Sequence, residues 1–215
     1  MPRKKPLIIV VSRRMSSSMA NLGVVEPPLC VASTHDRPNK HAESGQKAAY
    51  HAAMESAGMT LRPITEADGD EVAFIFFAAW SDANHFISPR DDFASFRSYV
   101  RNVVVKENRI WVLQRRDSLV GFVALAGNTL DHLYVHPLHH RLGYGRRLLD
   151  HAKAMAGGHL QASCFMRNRG ACEFYRKLGF TIVGTSLVES YGHEPAYNLV
   201  FGASATVAAP DRAPG

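Results

Sequence analysis

The sequence predicts a mixed α/β fold, in which helices pack on a central, mostly antiparallel, twisted sheet. Three observations predict this class. Short β-rich runs alternate with stretches of helical period, the middle runs are joined by short turns, and a glycine-rich loop leads from one such run into a helix. Counted along the chain, the runs give about seven strands and about four helices.

The first ordered elements are expected from residue 60 onward. Residues 60–64 form a β-rich run, and residues 65–80 have apolar side chains at helical spacing, with Thr65 as the N-cap and Asp68 three residues later. A second helix is predicted after a proline-bearing loop. Its expected apolar face comprises Phe93, Phe96, Val100 and Val103.

Three strands of an antiparallel meander are predicted next, at residues 109–115, 118–126 and 130–137, because turn signals separate the β-rich runs. A helix after the glycine loop is expected to bury Leu148, Leu149, Ala152 and Met155. Beyond it lie a strand at 159–165, a helix at 168–180 and two strands near 181–188 and 195–201. The N-cap of that last helix is predicted at Asn168 and its C′ residue at Gly179.

The two ends of the chain are predicted to lie outside the domain, which we assign to residues 59–203. Residues 1–58 show no sustained period and are expected to be a disordered extension, so that Met59 is a candidate start. The arginine- and serine-rich N-terminus also suits an organellar transit peptide. Residues 204–215 are expected to be a flexible tail.

Composition limits the classes of function. Residues 59–203 contain sixteen basic and fourteen acidic side chains, which argues against nucleic-acid binding. No apolar run approaches the length of a membrane-spanning helix. The three cysteines have irregular spacing and predict neither a disulfide framework nor a metal pair, so a cytoplasmic setting is expected.

The glycine loop, HHRLGYGRRLL at residues 139–149, has the features of an anion site. Gly143 and Gly145 leave room beside backbone N–H groups, and the start of the following helix adds partial positive charge. Phosphate or pyrophosphate is the ligand that such a loop suits. The alternative is an ordinary strand-to-helix connection. A Rossmann site fits less well, because the loop follows an antiparallel meander and GxGxxG is absent.

The same region contains three histidines, His136, His139 and His140. No metal site is expected there, because no Asp, Glu or Cys nearby completes a ligand set.

Two motifs together resemble the GNAT superfamily of acetyl-CoA-dependent N-acetyltransferases, over roughly residues 60–201. The family carries Arg/Gln-x-x-Gly-x-Gly/Ala where this chain has His140 to Gly145, so His140 is a departure. The second motif, N..A..FY.KLGF, is present in full from Asn168 to Phe180. The resemblance implies the GNAT-type fold and acetyl-CoA as co-substrate.

The resemblance also implies roles for individual residues. The main chain of Leu133, Tyr134 and Val135 is expected to pair with the pantetheine arm, Asn168 to contact it as well as capping its helix, and Tyr175 to lie near the thioester sulfur. The pyrophosphate is expected to be held by His140, Arg141, Leu142, Gly143, Tyr144, Gly145 and Arg146.

Acetyl transfer needs a group that protonates the leaving thiolate and one that takes a proton from the amine. We predict Tyr175 as the general acid, with core packing as the alternative. Asp131 is the predicted base, because it shares strand parity with Leu133 and Val135; the alternative is a solvated residue at the start of a strand. The candidate acceptor pocket comprises Trp80, His85, Tyr191 and Glu194.

The predicted function is an N-acetyltransferase that moves the acetyl group of acetyl-CoA directly to a primary amine of a small molecule or peptide. Two alternatives remain open at this point. One is an acetyl-CoA-binding regulatory module with little catalysis. The other is acetylation of a macromolecule, such as a protein N-terminus or aminoacyl-tRNA. A homodimer is the candidate assembly.

Overall fold

A computed structural model describes residues 58–87 and 92–202 of the chain. The predictions made for the N-terminal extension and for the C-terminal tail lie outside the described residues. Within them, the order of strands and helices is the one that the sequence predicts. The expected mixed α/β class is confirmed.

A seven-stranded sheet runs through the domain in the order β1-β2-β3-β4-β5-β7-β6. The strands are β1 (Met59–Pro63), β2 (Arg109–Arg115), β3 (Ser118–Ala126), β4 (Thr129–Val135), β5 (Leu160–Phe165), β6 (Thr181–Val188) and β7 (Glu194–Phe201). Every neighbouring pair is antiparallel except β4 and β5, which are parallel. The two strands predicted at 109–115 and 118–126 match the observed bounds residue for residue.

Four helices cover the two faces of this sheet. They are α1 (Gly69–Ala83), α2 (Phe93–Tyr99), α3 (Tyr144–Met155) and α4 (Arg169–Lys177). A π-helical turn (Val100–Val104) and a last α-helical turn (Val105–Glu107) extend α2. One core lies between the sheet and α1 with α2, and the other between the sheet and α3 with α4. The predicted number of helices is confirmed.

Two predicted core positions differ from the structure. Val100 and Val104 are fully buried at the two ends of the π-helical turn, whereas Val103 is not, because this turn adds a residue to the repeat. At the end of α3, Met155 is exposed, and the buried position falls on Ala156, the residue that follows the helix and lies four residues after Ala152.

Thr65 caps a 3₁₀ turn (Glu66–Asp68) that leads into α1, and the caps predicted at Asn168 and Gly179 are confirmed. The Asp68 carboxylate accepts a hydrogen bond from the Thr65 N–H at 2.7 Å and pairs with Arg62 at 2.7 and 2.8 Å. The Asn168 side chain caps α4 by accepting from the Ala171 N–H at 3.0 Å. Gly179 has a φ of +85°, which suits a C′ residue.

Candidate active site

The parallel strands β4 and β5 separate almost as soon as they meet. Their ladder contains one residue pair, Thr129 with Gln161. β5 pairs with β7 along its whole length instead. A gap therefore opens in the middle of the sheet, with the end of β4 on one side and the end of β5 on the other.

Main-chain groups of β4 face this gap. The His136 N–H donates to the Val120 carbonyl at 2.9 Å, which fixes the phase of the β3–β4 ladder. By the alternation of antiparallel pairs, the peptide groups of Leu133 and Val135 point away from β3 and into the gap. Those of Tyr134 point toward β3. Of the three residues expected to pair with a pantetheine arm, Leu133 and Val135 therefore direct peptide groups into the gap, whereas Tyr134 does not.

The glycine loop continues from β4 through a 3₁₀ turn (Pro137–His139) into α3. His136 shapes its start, since its Nδ1 accepts a hydrogen bond from the Leu138 N–H at 3.3 Å. Two residues then adopt left-handed backbone, Arg141 at φ +63° and Gly143 at φ +81°. Gly143 immediately precedes α3, where it supplies the turn but no capping side chain.

Backbone donors at the start of α3 have no acceptor within the helix. The first intrahelical bond runs from the Arg147 N–H to the Gly143 carbonyl at 3.1 Å. The N–H groups of Tyr144, Gly145 and Arg146 precede it and have no carbonyl one turn back. Together with the helix dipole, these donors make a site that favours an anion.

An open groove of about 1030 Å³, part of it solvent, joins this loop to α4. It is lined by Val135, His139, His140, Arg141, Gly143, Tyr144, Gly145, Arg146, Gly170, Glu173, Phe174, Lys177 and Leu178. Leu142, expected among the cofactor residues, does not line the groove, and its side chain is exposed. The α4 side of the groove was missed by sequence reasoning, because those residues look like an ordinary solvent face.

His140 fastens the loop to β4. Its Nε2 donates a hydrogen bond to the Val135 carbonyl at 2.8 Å. Burial lowers the pKa of His140, which favours the neutral ring. The residue that departs from the family motif thus holds the loop against the strand that precedes it.

Asn168 and Tyr175 are buried beside α4 with polar atoms that no described residue satisfies. Asn168 is 3% exposed and Tyr175 is fully buried. The Asn168 Nδ2 and the Tyr175 hydroxyl have no hydrogen-bond partner in the described part of the chain. Unpaired buried polar atoms cost free energy, so their presence fits a site whose ligand supplies the partners.

The environment of Tyr175 keeps its hydroxyl protonated. Burial first, and the nearby thiols of Cys164 and Cys172 second, raise the pKa of Tyr175 well above its usual value. The hydroxyl is therefore a hydrogen-bond donor to any group that enters the gap beside it.

Asp131 does not follow the strand parity that the sequence suggests. A β-bulge interrupts the β3–β4 ladder, so that Ala124 faces His132 while Leu125 faces Leu130. Asp131 lies in the bulge, where a regular alternation breaks down. The expectation that Asp131 alternates in regular phase with Leu133 and Val135 along β4 is therefore wrong.

The Asp131 carboxylate is buried near the end of α2. It accepts a hydrogen bond from the Asn108 Nδ2 at 3.1 Å and lies 3.3 Å from the His132 Nε2. Because Asp131 is 5% exposed, the alternative that it is a solvated residue at the start of a strand is wrong. Its assignment as the base stays a prediction.

Three of the four predicted acceptor residues lie near the end of β5. Trp80 contacts Tyr191, with ring centroids 4.9 Å apart, and both contact Phe165, the last residue of β5. The Oε2 of Glu194 lies 3.6 Å from Arg167, while its Oε1 is buried without a partner among the described residues.

Two neighbours of this cluster were missed by sequence reasoning. Phe86 packs on Phe165 at 6.0 Å between ring centroids, and the Arg167 guanidinium lies 4.6 Å from the Phe86 ring. His85, by contrast, is exposed. Aromatic packing of this kind has no signature in local sequence spacing.

Residues 58–87 and 92–202 contain no group of His, Cys, Asp or Glu side chains able to hold a metal ion. His132 packs among the rings of Phe76, Tyr99 and Tyr134 instead. Across the same residues, no helix has both the length and the apolar character needed to cross a membrane.

Comparison with known proteins gives a consistent result. A family described as "Acetyltransferase (GNAT) domain" matches residues 106–182, from the end of α2 to the start of β6. The peptidyl-lysine N-acetyltransferase YjaB of Escherichia coli K12 is 30% identical over 148 residues, which are 66% of this chain and 97% of YjaB. The Salmonella typhimurium protein of the same name is 33% identical, over 66% of this chain and 98% of its own.

Solved structures show the same likeness. The solution structure of apo-form YjaB from Escherichia coli superposes with a TM-score of 0.58 at 31% identity, covering 67% of this chain and 99% of YjaB. The structure of yncA from Salmonella typhimurium, a putative acetyltransferase with its cofactor acetyl-CoA, has a TM-score of 0.52 at 21% identity. It covers 73% of this chain and 99% of yncA, and at this identity it shows the fold alone.

Proposed function

This chain belongs to the GNAT family of acetyltransferases and is an acetyl-CoA-dependent N-acetyltransferase, and we propose that its acceptor is the side-chain amine of a lysine in a protein or peptide. The observation that carries the acceptor class is the likeness to two proteins named peptidyl-lysine N-acetyltransferase over nearly their whole length. This favours the macromolecular alternative over a small-molecule amine. Within that alternative it favours lysine over a protein N-terminus or aminoacyl-tRNA.

The proposed position of acetyl-CoA follows from the polar groups that face the groove and the gap. The pyrophosphate would lie at the N–H groups that begin α3, and the pantetheine arm along the peptide groups of Leu133 and Val135 in the gap. The thioester would then reach the Tyr175 hydroxyl, which has no partner among the described residues. The Tyr175 hydroxyl would thereby gain a partner, whereas the Val135 carbonyl already accepts a hydrogen bond from the His140 Nε2 and offers its second lone pair.

The gap also gives a route for direct transfer. Cys164 packs in the core beneath α4, together with Tyr175, whereas the next residue, Phe165, packs in the core beneath α1. A thioester on the α4 side and an amine on the α1 side would therefore meet at the end of β5. This arrangement supports a single step within a ternary complex.

The aromatic cluster of Trp80, Phe86 and Tyr191 suits the aliphatic part of a lysine side chain, and the Glu194 carboxylate suits its charged amine. A lysine amine has a solution pKa near 10.4 and must lose a proton before attack. We propose Asp131 as the group that accepts this proton. Tyr175 would then protonate the departing thiolate.

The acceptor class is testable with four matched substrates. The first peptide has a blocked N-terminus and a single lysine, and the second carries arginine in place of that lysine. The third peptide has a free N-terminus and no lysine. A set of small primary amines forms the fourth arm of the test. We expect thiol release and acetylated product with the first peptide alone. Turnover of the small amines at a higher kcat/KM would contradict the proposal.

A further inference from the structure

Two thiols meet at the contact between β5 and α4. The Sγ atoms of Cys164 and Cys172 are 3.5 Å apart, although the residues lie on different elements. The spacing of cysteines in the sequence does not indicate this pairing, because it arises from the way α4 packs on β5. Cys164 is fully buried, and Cys172 is partly exposed.

The two thiols differ in chemistry. The hydrogen bond from the Cys164 thiol lowers the pKa of Cys172. The same bond, together with burial, raises the pKa of Cys164 well above its usual value. A reagent from solvent therefore meets the thiol that ionises more easily, and the second thiol stands protected behind it.

We propose that Cys164 and Cys172 form a reversible intramolecular disulfide on exposure to a hydroperoxide such as hydrogen peroxide, and that this modification lowers acetyl transfer. The Cys172 thiolate attacks one peroxide oxygen, the O–O bond breaks, and Cys172 becomes a sulfenic acid as hydroxide leaves and takes a proton from solvent. The Cys164 thiol then attacks the sulfenic sulfur, and the S–S bond forms with loss of water. Two electrons pass from the thiols to the peroxide.

The disulfide would change the position of α4. The Sγ atoms must close from 3.5 Å to a bonding distance of about 2.05 Å, which draws the first turn of α4 toward β5. Asn168 caps that turn, and Tyr175 follows Cys172 by three residues, on the same side of the helix. The expected loss of transfer rests on the proposed function, whereas formation of the disulfide does not.

The test uses the full-length chain with Cys30→Ser, so that any disulfide within one molecule joins Cys164 and Cys172. The protein is treated with hydrogen peroxide, denatured, alkylated with N-ethylmaleimide and weighed by mass spectrometry. We expect both thiols to be lost together, with the loss of two hydrogen atoms, and dithiothreitol to restore both. Acetylation of the lysine peptide should fall by about tenfold or more and recover on reduction.

Variants at each cysteine, made in the chain that already carries Cys30→Ser, separate the two roles. In Cys164→Ala, the sulfenic acid on Cys172 should persist and be trapped by dimedone. In Cys172→Ser, no trapping is expected, because the remaining thiol is shielded. Melting temperatures of the two reduced variants check that both fold. The thiol count on the Cys30→Ser chain does not depend on these variants, because that chain keeps Cys164 and Cys172.

Several results would overturn the proposal. The assigned site would be refuted if both thiols could still be alkylated after peroxide treatment. It would also be refuted if Cys172 were oxidised to sulfinic acid with no crosslink, or if the disulfide joined two chains. A disulfide within the chain that leaves transfer unchanged would refute the effect on activity. The thiol count needs no acceptor, so its result is independent of the lysine assignment.

Discussion

The imidazole of His140 and the carbonyl of Val135 form a 2.8 Å hydrogen bond that joins the glycine loop to the last residue of β4. The family motif has Arg or Gln at this position, and all three side chains carry N–H donors. The departure from the motif therefore preserves a donor rather than removing one. Its main effect is to place a ring with a titratable proton at the edge of the groove.

Replacing His140 with alanine should release the loop from β4. We expect the free energy of unfolding to fall by about 1 kcal/mol, the net value of one hydrogen bond, and acetyl-CoA binding to weaken several-fold. His140→Gln should lose much less of either, because it keeps a donor. Thermal melts and calorimetry on the three proteins check this. Equal losses in the two variants would show that the ring, not the donor, matters.

The three loop histidines should make stability depend on pH. Burial lowers the pKa values of His136, His139 and His140, so the folded protein resists protonation more than the unfolded chain does. Stability is therefore fully present above about pH 6.5 and is lost as pH falls through the lowered values. Urea unfolding at a series of pH values should show a smaller loss for His140→Gln than for the wild type. An equal loss in His140→Gln and in the wild type would refute the assignment.

Gly143 and Gly127 form a matched pair for testing the anion site. Both have positive φ, +81° and +59°, and an added Cβ at either would meet no protein atom within 4 Å. Valine at either position should cost about 1–3 kcal/mol of stability through backbone strain. Only Gly143→Val should also weaken acetyl-CoA binding, by at least about tenfold, since each lost amide-to-phosphate bond is worth roughly 1.5–3 kcal/mol.

Calorimetry with acetyl-CoA and melts without it measure both quantities for each glycine variant. Wild-type affinity in Gly143→Val would refute the pyrophosphate assignment. Equal weakening by Gly127→Val would show that strain in the backbone, rather than contact with the ligand, is the cause.

Removing the Tyr175 hydroxyl should move activity and stability in opposite directions. Tyr175→Phe eliminates a buried hydroxyl without a partner among the described residues, which should raise the free energy of unfolding of the ligand-free protein by about 1 kcal/mol. The same change should lower kcat by about a hundredfold, the usual contribution of a general acid. Denaturant titration and steady-state kinetics test the two halves. Unchanged kcat would leave Tyr175 as a packing residue.

The base is tested by comparing two carboxylates. If Asp131 accepts the proton of the amine, Asp131→Asn should lower turnover more at low pH than at high pH, where the amine loses its proton unaided. Glu194→Gln should instead raise KM for the lysine peptide with a smaller effect on kcat, because Glu194 is proposed to bind the amine. A pH–rate profile of Asp131→Asn parallel to that of the wild type would remove Asp131 from the mechanism.

Sequence patterns predict the regular elements well because burial repeats with a fixed period. The β2–β3 hairpin and the caps at Asn168 and Gly179 depend on local rules alone, and the structure matches them. The errors come where a period is interrupted. The π-helical turn displaces the buried position from Val103 to Val104, and the bulge at Asp131 breaks the alternation of β4.

The candidate site was predictable only in part. The glycine loop has its own local signature, so its place at the start of α3 follows from the sequence. The direction in which the peptide groups of β4 point depends on which residues of β3 and β4 form hydrogen-bonded pairs. The contact of Phe86 with Arg167 depends on tertiary packing. Neither leaves a mark in residue spacing.

The single residue pair between β4 and β5 has a mechanical consequence. The four strands before the gap and the three after it are held together chiefly by side-chain packing, since both halves contribute to the same two cores. Packing contacts tolerate small rotations, whereas a hydrogen-bonded ladder fixes the register of its strands. The relative position of the two halves is therefore set by the fit of side chains in the two cores, and the Thr129–Gln161 pair adds a single main-chain rung between them.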